Sequence, residues 1–322
     1  MNLFVNFVFI LLKCSLLRAA LTISNEESKA PENRIMGGIN AKPHAHPYIV
    51  SLQIRFLFLK LHICAGTLLN EYWILSAAHC IPSFFLIKWL PMEAIAGSNN
   101  INHLARTAQI ATISKRIPHP LFTSDIAPYD IAMLKTSKPF TFTKEVKPIN
   151  LPENSQLRHK DLILAGWGEL SETSIIFSNS PSKLQEVRVQ YIPYKECHEA
   201  MENLFEDDVS IEDIETMKEN VHICTGPLTG GVAACSGDSG GPLIEYISHY
   251  NSDNAKKEFN YGNDVNSKEN SRRSQDGNAD HKTPYIIGIV SWGFVPCGEP
   301  GAPTVFTNVS HYIDFIYDHI YE

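Results

Sequence analysis

The chain has 322 residues, of which 44% are apolar and 19% charged, with a formal net charge of −8. That much apolar content builds a core and excludes a disordered tail, while 18 Gly and 19 Pro exclude a collagen-like or low-complexity chain. The acidic balance argues against nucleic acid as a partner, because such proteins present a basic surface.

The first element is an apolar run, Leu3 to Leu12, broken only by Asn6 and followed by the small residues Ala19 and Ala20. The run is too short for a membrane-spanning helix, which needs about 20 residues. It reads as the core of a secretory signal peptide at 1–20, its end falling between 19 and 24. No cation precedes the run, and Lys13 and Arg18 follow it, so a retained N-terminal anchor is the competing reading. The expected location is extracellular, with no membrane partner. Cys14 leaves with this segment. Cys64, Cys80, Cys197, Cys224, Cys235 and Cys297 remain, and an even count in a secreted chain implies disulfides whose pairing the residues alone leave open. A zinc site is the alternative, but no Cys-x2-Cys pair supports it.

Short strands dominate the body of the chain. Tyr48 to Ile54 and Glu186 to Tyr191 alternate in the manner of half-buried strands, and Ile286 to Val290 reads as a strand buried on both faces. Many short strands separated by turns predict an all-β barrel or sandwich. At the end of the chain Tyr312, Ile313, Ile316, Tyr317 and Ile320 recur at helical spacing and predict an amphipathic helix. Two segments read as too polar for the core. One is 195–220, with ten acidic residues against Lys195 and Lys218; the other is 249–284, where six acidic and six basic residues cancel. The second is expected to be a surface insertion, with Arg272-Arg273 as a nicking site.

Three motifs carry the chemistry: Leu75-Ser-Ala-Ala-His79-Cys80, Tyr129-Asp130-Ile-Ala-Met-Leu134 and Cys235-Ser-Gly-Asp-Ser239-Gly-Gly-Pro242. They supply His, Asp and Ser in that order. A serine hydroxyl is a weak nucleophile that needs an adjacent base, imidazole suits that role near neutral pH, and a carboxylate fixes the useful tautomer. Taken singly, each has an ordinary structural explanation. Gly237 to Gly241 also matches the nucleophile elbow of α/β-hydrolases, but that fold places its acid and histidine after the serine and alternates strands with helices.

With these residues in this order the chain resembles the trypsin/chymotrypsin-like serine proteases over 35–322. Arg34-Ile35-Met36-Gly37-Gly38, Gly166-Trp167-Gly168 and Ser291-Trp292-Gly293 are similar to further motifs of that family. The resemblance implies two antiparallel six-stranded β-barrels, a first about 35–145 and a second about 146–322, with the active site between them and a C-terminal helix. It implies disulfides Cys64–Cys80, Cys197–Cys224 and Cys235–Cys297. It implies His79, Asp130 and Ser239 as catalytic residues and the N–H groups of Gly237 and Ser239 as the oxyanion hole. It also implies a propeptide at 21–34, removed by an upstream trypsin-like protease cutting after Arg34, so that the Ile35 ammonium pairs with Asp238.

The pocket departs from the trypsin pattern. Ala233, followed by Ala234, stands where trypsins carry an aspartate, and an uncharged floor cannot repay the desolvation of a basic side chain. With Gly293 and Thr304 as walls, the expected preference is for apolar residues of small to medium size, aromatic ones being admitted. Ser291, Trp292 and Gly293 offer an edge to which an extended substrate adds as a strand. Ser98 to Ile110 has no acidic residue, so no calcium site is expected there. Asn308-Val-Ser310 is a glycosylation sequon. The expectation is therefore a secreted, monomeric serine endopeptidase needing no cofactor or metal. Its partners are protein or peptide substrates and protease inhibitors. The alternative is a catalytically silent homologue acting as a binding or regulatory protein.

Overall fold

In the computed structural model the described residues are 37–56, 59–83, 88–123, 128–153, 161–168, 182–205, 217–248 and 282–321. All lie in one unit, Asn33–Glu322. The signal segment, Arg34 and Ile35, and residues 249–281 fall outside them.

The first barrel is a closed ring of β2 (Ile49–Phe56), β3 (Leu59–Leu68), β4 (Trp73–Ser76), β7 (Ala132–Thr136), β6 (Gln109–Pro118) and β5 (Met92–Ala96). Every neighbouring pair is antiparallel. The second ring runs β8 (Asp161–Gly166), β9 (Gln185–Ile192), β10 (His222–Gly226), β13 (Thr304–Asn308), β12 (Lys282–Gly293) and β11 (Pro242–Ser248), which pairs back onto β8. Closure leaves neither ring with a free edge along its length. The three strands read from the sequence coincide with parts of β2, β9 and β12.

Segments near each end of the described residues link the two rings. β1 (Ile39–Asn40) pairs with β9 of the second barrel. The terminal helix α2 (Ile313–Ile320) follows a 3₁₀ turn, Val309–Tyr312, and packs on the first barrel. Ile316 is fully buried, His319 meets Trp73 edge-on, and Phe315 packs on His119. Of the stripe its apolar spacing marks out, Tyr312 and Ile316 are buried, Ile313 and Ile320 are half-buried, and Tyr317 is 40% exposed.

The acidic segment is not uniformly superficial. Its first part is helix α1, Tyr194–Phe205, in which Cys197 and Met201 are fully buried and pack with Met217, Cys224 and Val305. A narrow apolar stripe, pinned by the Cys197–Cys224 disulfide, holds a helix whose other faces are charged.

Candidate active site

His79 sits in a 3₁₀ turn, Ala78–Cys80, clamped to β3 by the Cys64–Cys80 disulfide. Its backbone N–H donates to Asp130 Oδ1 at 3.0 Å, and its Nδ1 lies 2.8 Å from Asp130 Oδ2. A carboxylate beside Nδ1 selects the tautomer with the proton there, which puts the basic lone pair on Nε2. Asp130 is fully buried. The preceding Tyr129 has φ 73°, a left-handed conformation that costs a bulky residue on the order of 1–3 kcal/mol. Its ring stacks on His119, and its N–H donates to the Tyr312 hydroxyl at 2.9 Å, which together hold it there. The Ser291 hydroxyl donates to Asp130 Oδ2 at 2.5 Å, and Thr307 Oγ1 donates to the Asp130 carbonyl at 2.8 Å. Ser291 is the extra residue of a bulge, since Val290 and Trp292 face the consecutive partners Phe306 and Val305. Such a bulge re-aims a side chain, here toward the carboxylate.

Ser239 arrives from the other barrel. Its carbonyl accepts from Ala65 N–H at 2.8 Å, and Gly240 N–H donates to Val290 O at 2.9 Å. Gly240 has φ 74°, and a Cβ there would press on Ala65 O and Ala77 N. That close approach needs glycine and sets the serine turn against the segment leading into His79. Gly237 has φ 97°. Among the described residues no hydrogen bond engages the N–H of Gly237 or Ser239.

Asp238, between them, is fully buried. It accepts from Gly168 N–H at 2.7 Å and Cys235 N–H at 3.0 Å. A Cβ on Gly166 or Gly168 would run into its carboxylate, so the Gly-Trp-Gly sequence is the cradle of this aspartate. Burial raises its pKa to about 6, against the lowering effect of the two N–H donors. Ile35, the partner expected from the sequence, lies outside the described residues.

His62 is a site residue that the motifs did not reveal. One ring nitrogen, Nε2, lies 3.0 Å from Gly237 O, and Nδ1 lies 2.8 Å from Ser51 Oγ, which also accepts from Gln53 Nε2 at 3.2 Å. Burial lowers its pKa to about 4. The consistent pattern is a neutral ring donating from Nε2 to the carbonyl and accepting from the serine at Nδ1. This line fixes the peptide that follows Gly237.

The pocket residues also converge. Ala233 and Ala234 are buried, and Thr304 Oγ1 accepts from Ala234 N–H at 3.2 Å. Gly293 faces Thr304 across β12 and β13, and a Cβ on Gly293 would come no nearer than 4.0 Å to Pro303 O. The third disulfide, Cys235–Cys297, ties this region to the serine turn. The sulfurs of Cys64 and Cys80 lie near the His79 ring, but they are joined to each other and offer no thiolate to a metal.

A buried acid–imidazole pair, a serine turn beside it and unengaged N–H groups around that serine are what acyl transfer requires. The comparisons with known proteins agree: the trypsin family profile matches residues 35–247 and 274–316. The chain belongs to the trypsin family of serine proteases. Trypsin-1 of Astacus astacus is 31% identical over 283 residues, covering 88% of this chain and 98% of that protein. Kallikrein 1-related peptidase b8 of Mus musculus is 29% identical over 311 residues, covering 93% and 95%. Serine proteinase stubble of Drosophila melanogaster is 30% identical over 295 residues, covering 90% of this chain but 31% of that larger protein. The trypsin-family assignment accounts for the paired barrels: His79 and Asp130 belong to the first, and the Ser239 turn of the second lies against it through the Ala65–Ser239 hydrogen bond.

Proposed function

We propose that this trypsin-family chain is a secreted endopeptidase that uses Ser239, His79 and Asp130, is made as a zymogen and prefers apolar P1 residues. The observation that carries this reading is the hydrogen-bonded line Ser291–Asp130–His79, with the Ser239 turn beside it.

Ser239 Oγ attacks the scissile carbonyl carbon while His79 Nε2 takes its proton. The developing oxyanion is met by the N–H groups of Gly237 and Ser239. Losing one such donor typically costs about 2.7–4 kcal/mol of transition-state stabilisation. The C–N bond then breaks, with His79 returning the proton to the leaving amine and the acyl group remaining on Ser239. Water, deprotonated by His79, releases the acid and regenerates the serine. Asp130 stays ionised throughout and stabilises the imidazolium.

Activation rests on Asp238. A buried carboxylate with two N–H donors but a raised pKa is poised to gain from a cation. Cleavage after Arg34 by a trypsin-like protease frees the Ile35 ammonium for that role and orders the oxyanion turn. The apolar floor at Ala233 and Ala234, with Thr304 held by its hydrogen bond, favours small to medium apolar P1 side chains.

Labelling with a serine-directed fluorophosphonate, before and after cleavage at Arg34–Ile35, tests this reading. Label that appears only after cleavage and vanishes in Ser239→Ala is expected. No labelling of the cleaved, folded chain would sink it in favour of a silent binding homologue.

A further inference from the structure

The β2–β3 hairpin carries an apolar ridge that catalysis does not use. Phe56 pairs with Leu59 and Ile54 with Leu61, so these four share one face. Ile54 is buried against the barrel, whereas Phe56, Leu59 and Leu61 are 46%, 49% and 52% exposed. Arg55 N–H donates to Pro91 O at 2.9 Å, which brings the segment carrying Trp89 alongside the hairpin. Trp89 is 80% exposed. Soluble proteins rarely cluster large apolar side chains in this way without a binding role.

The surrounding charge identifies the partner. On the other face of the hairpin Arg55 and Lys60 both pair with the buried Glu93, each at 3.1 Å. Lys88 Nζ stands 5.0 Å over the Trp89 ring. Arg116 donates to Lys88 O at 3.0 Å and Leu90 O at 2.7 Å, which fixes the Trp89 segment. Among the described residues of this patch, Arg55, Lys60, Lys88 and Arg116 thus outnumber the one carboxylate, Glu93, which pairs with the first two, in a chain whose formal charge is −8.

We infer that the Phe56–Leu59–Leu61–Trp89 ridge, with Arg55, Lys60, Lys88 and Arg116 behind it, docks this protease on an anionic lipid surface. Aliphatic and aromatic side chains beside Lys and Arg suit the boundary between headgroups and acyl chains, where apolar insertion and attraction to anionic lipid add. A standard protein interface buries about 800 Å² on each partner, more than a ridge of four side chains supplies. This departs from the expectation of no membrane partner and is independent of the proposed reaction. His62, next to Leu61 but on the opposite face of the hairpin, touches Gly237, so the ridge points away from the serine turn.

The test is co-sedimentation of the full secreted chain with phosphatidylcholine vesicles, with and without phosphatidylserine. Binding that requires phosphatidylserine and weakens with salt is expected. Phe56→Ser/Leu59→Ser/Trp89→Ser should lower the partition coefficient by about tenfold or more, and Lys88→Glu should weaken it too. An unchanged melting temperature and circular dichroism would exclude unfolding. Tryptophan emission adds a second readout: a blue shift on vesicle addition that disappears in Trp89→Phe, while that variant still binds. No sedimentation with phosphatidylserine vesicles, or variants that bind as the parent does, would overturn the inference and leave a protein partner for this ridge.

Discussion

The Ser291 hydroxyl donates to the same oxygen of Asp130 that faces His79 Nδ1, at 2.5 Å and 2.8 Å. Ser291 therefore lies behind the acid as well as on the strand edge expected to bind substrate. Hydrogen bonds to a charged group are worth about 1.5–3 kcal/mol. Ser291→Ala should lower kcat by roughly 10- to 100-fold and leave KM nearly unchanged. If Ser291 acts only through the substrate-binding edge, KM will rise instead, so the split between the two constants decides.

Gly168 makes a sharper case. Its N–H binds Asp238 Oδ1, and a Cβ would run into the carboxylate. Gly168→Ala should fold, because the collision is confined to this cradle, yet label with fluorophosphonate at least about tenfold more slowly after cleavage. Labelling at the parent rate would mean that the Asp238 cradle does not govern the serine turn.

Acid should loosen the fold through its buried imidazoles. Burial lowers the pKa of His62 to about 4 and that of His222 to about 4. A base whose pKa is lower in the folded chain stabilises above its unfolded value, and that contribution is lost as pH falls from about 6.5 towards 4. Each is worth up to about 3 kcal/mol. The amide of Gln can donate to Gly237 O and accept from Ser51 without titrating. His62→Gln should therefore flatten the fall in melting temperature over that range. An unchanged slope would remove His62 from the acid response.

The motifs marked out His79, Asp130 and Ser239 as candidates because each is local in sequence, and their order argued against the hydrolase elbow. His62 was hidden because its role exists only once β3 lies beside Gly237. Ser51 and Gln53 read as the wet face of an alternating strand, yet both are buried, since their hydrogen-bonded line runs to that imidazole. Helix α1 was hidden by composition, its burial resting on a stripe as narrow as Cys197, Ala200 and Met201. Nothing in the residue type of Tyr129 announces a positive φ, which the distant Tyr312 hydroxyl helps to hold.

Asp238 predicts the opposite pH response, confined to the uncleaved chain. Burial raises its pKa from the ordinary carboxylate range to about 6. The protonated acid is then the favoured form, and its stabilisation, present at low pH, is lost as pH rises through about 6. The Ile35 ammonium offsets that loss once cleavage frees it. The gap in melting temperature between cleaved and uncleaved Ser239→Ala chains should therefore widen as pH rises through about 6. It should shrink again as the amine deprotonates, near about pH 8 for an unperturbed terminus and higher when paired. A gap that stays constant across both ranges would mean that the ammonium does not reach Asp238.

The pocket floor gives the last test. Ala233, next to Ala234 and its hydrogen bond to Thr304, is buried and brings no charge to the site. A cationic P1 side chain entering there leaves water without a partner. On a panel of peptides differing only at P1, the parent enzyme should favour apolar residues over Arg and Lys in kcat/KM. Ala233→Asp supplies the missing counter-charge and should raise kcat/KM for Arg and Lys by about tenfold or more while lowering it for apolar residues. Thr304→Gly should instead shift preference towards aromatic P1 residues, because the wall retreats. A parent enzyme that already prefers Arg or Lys would show that the charge recognising P1 comes from outside this floor.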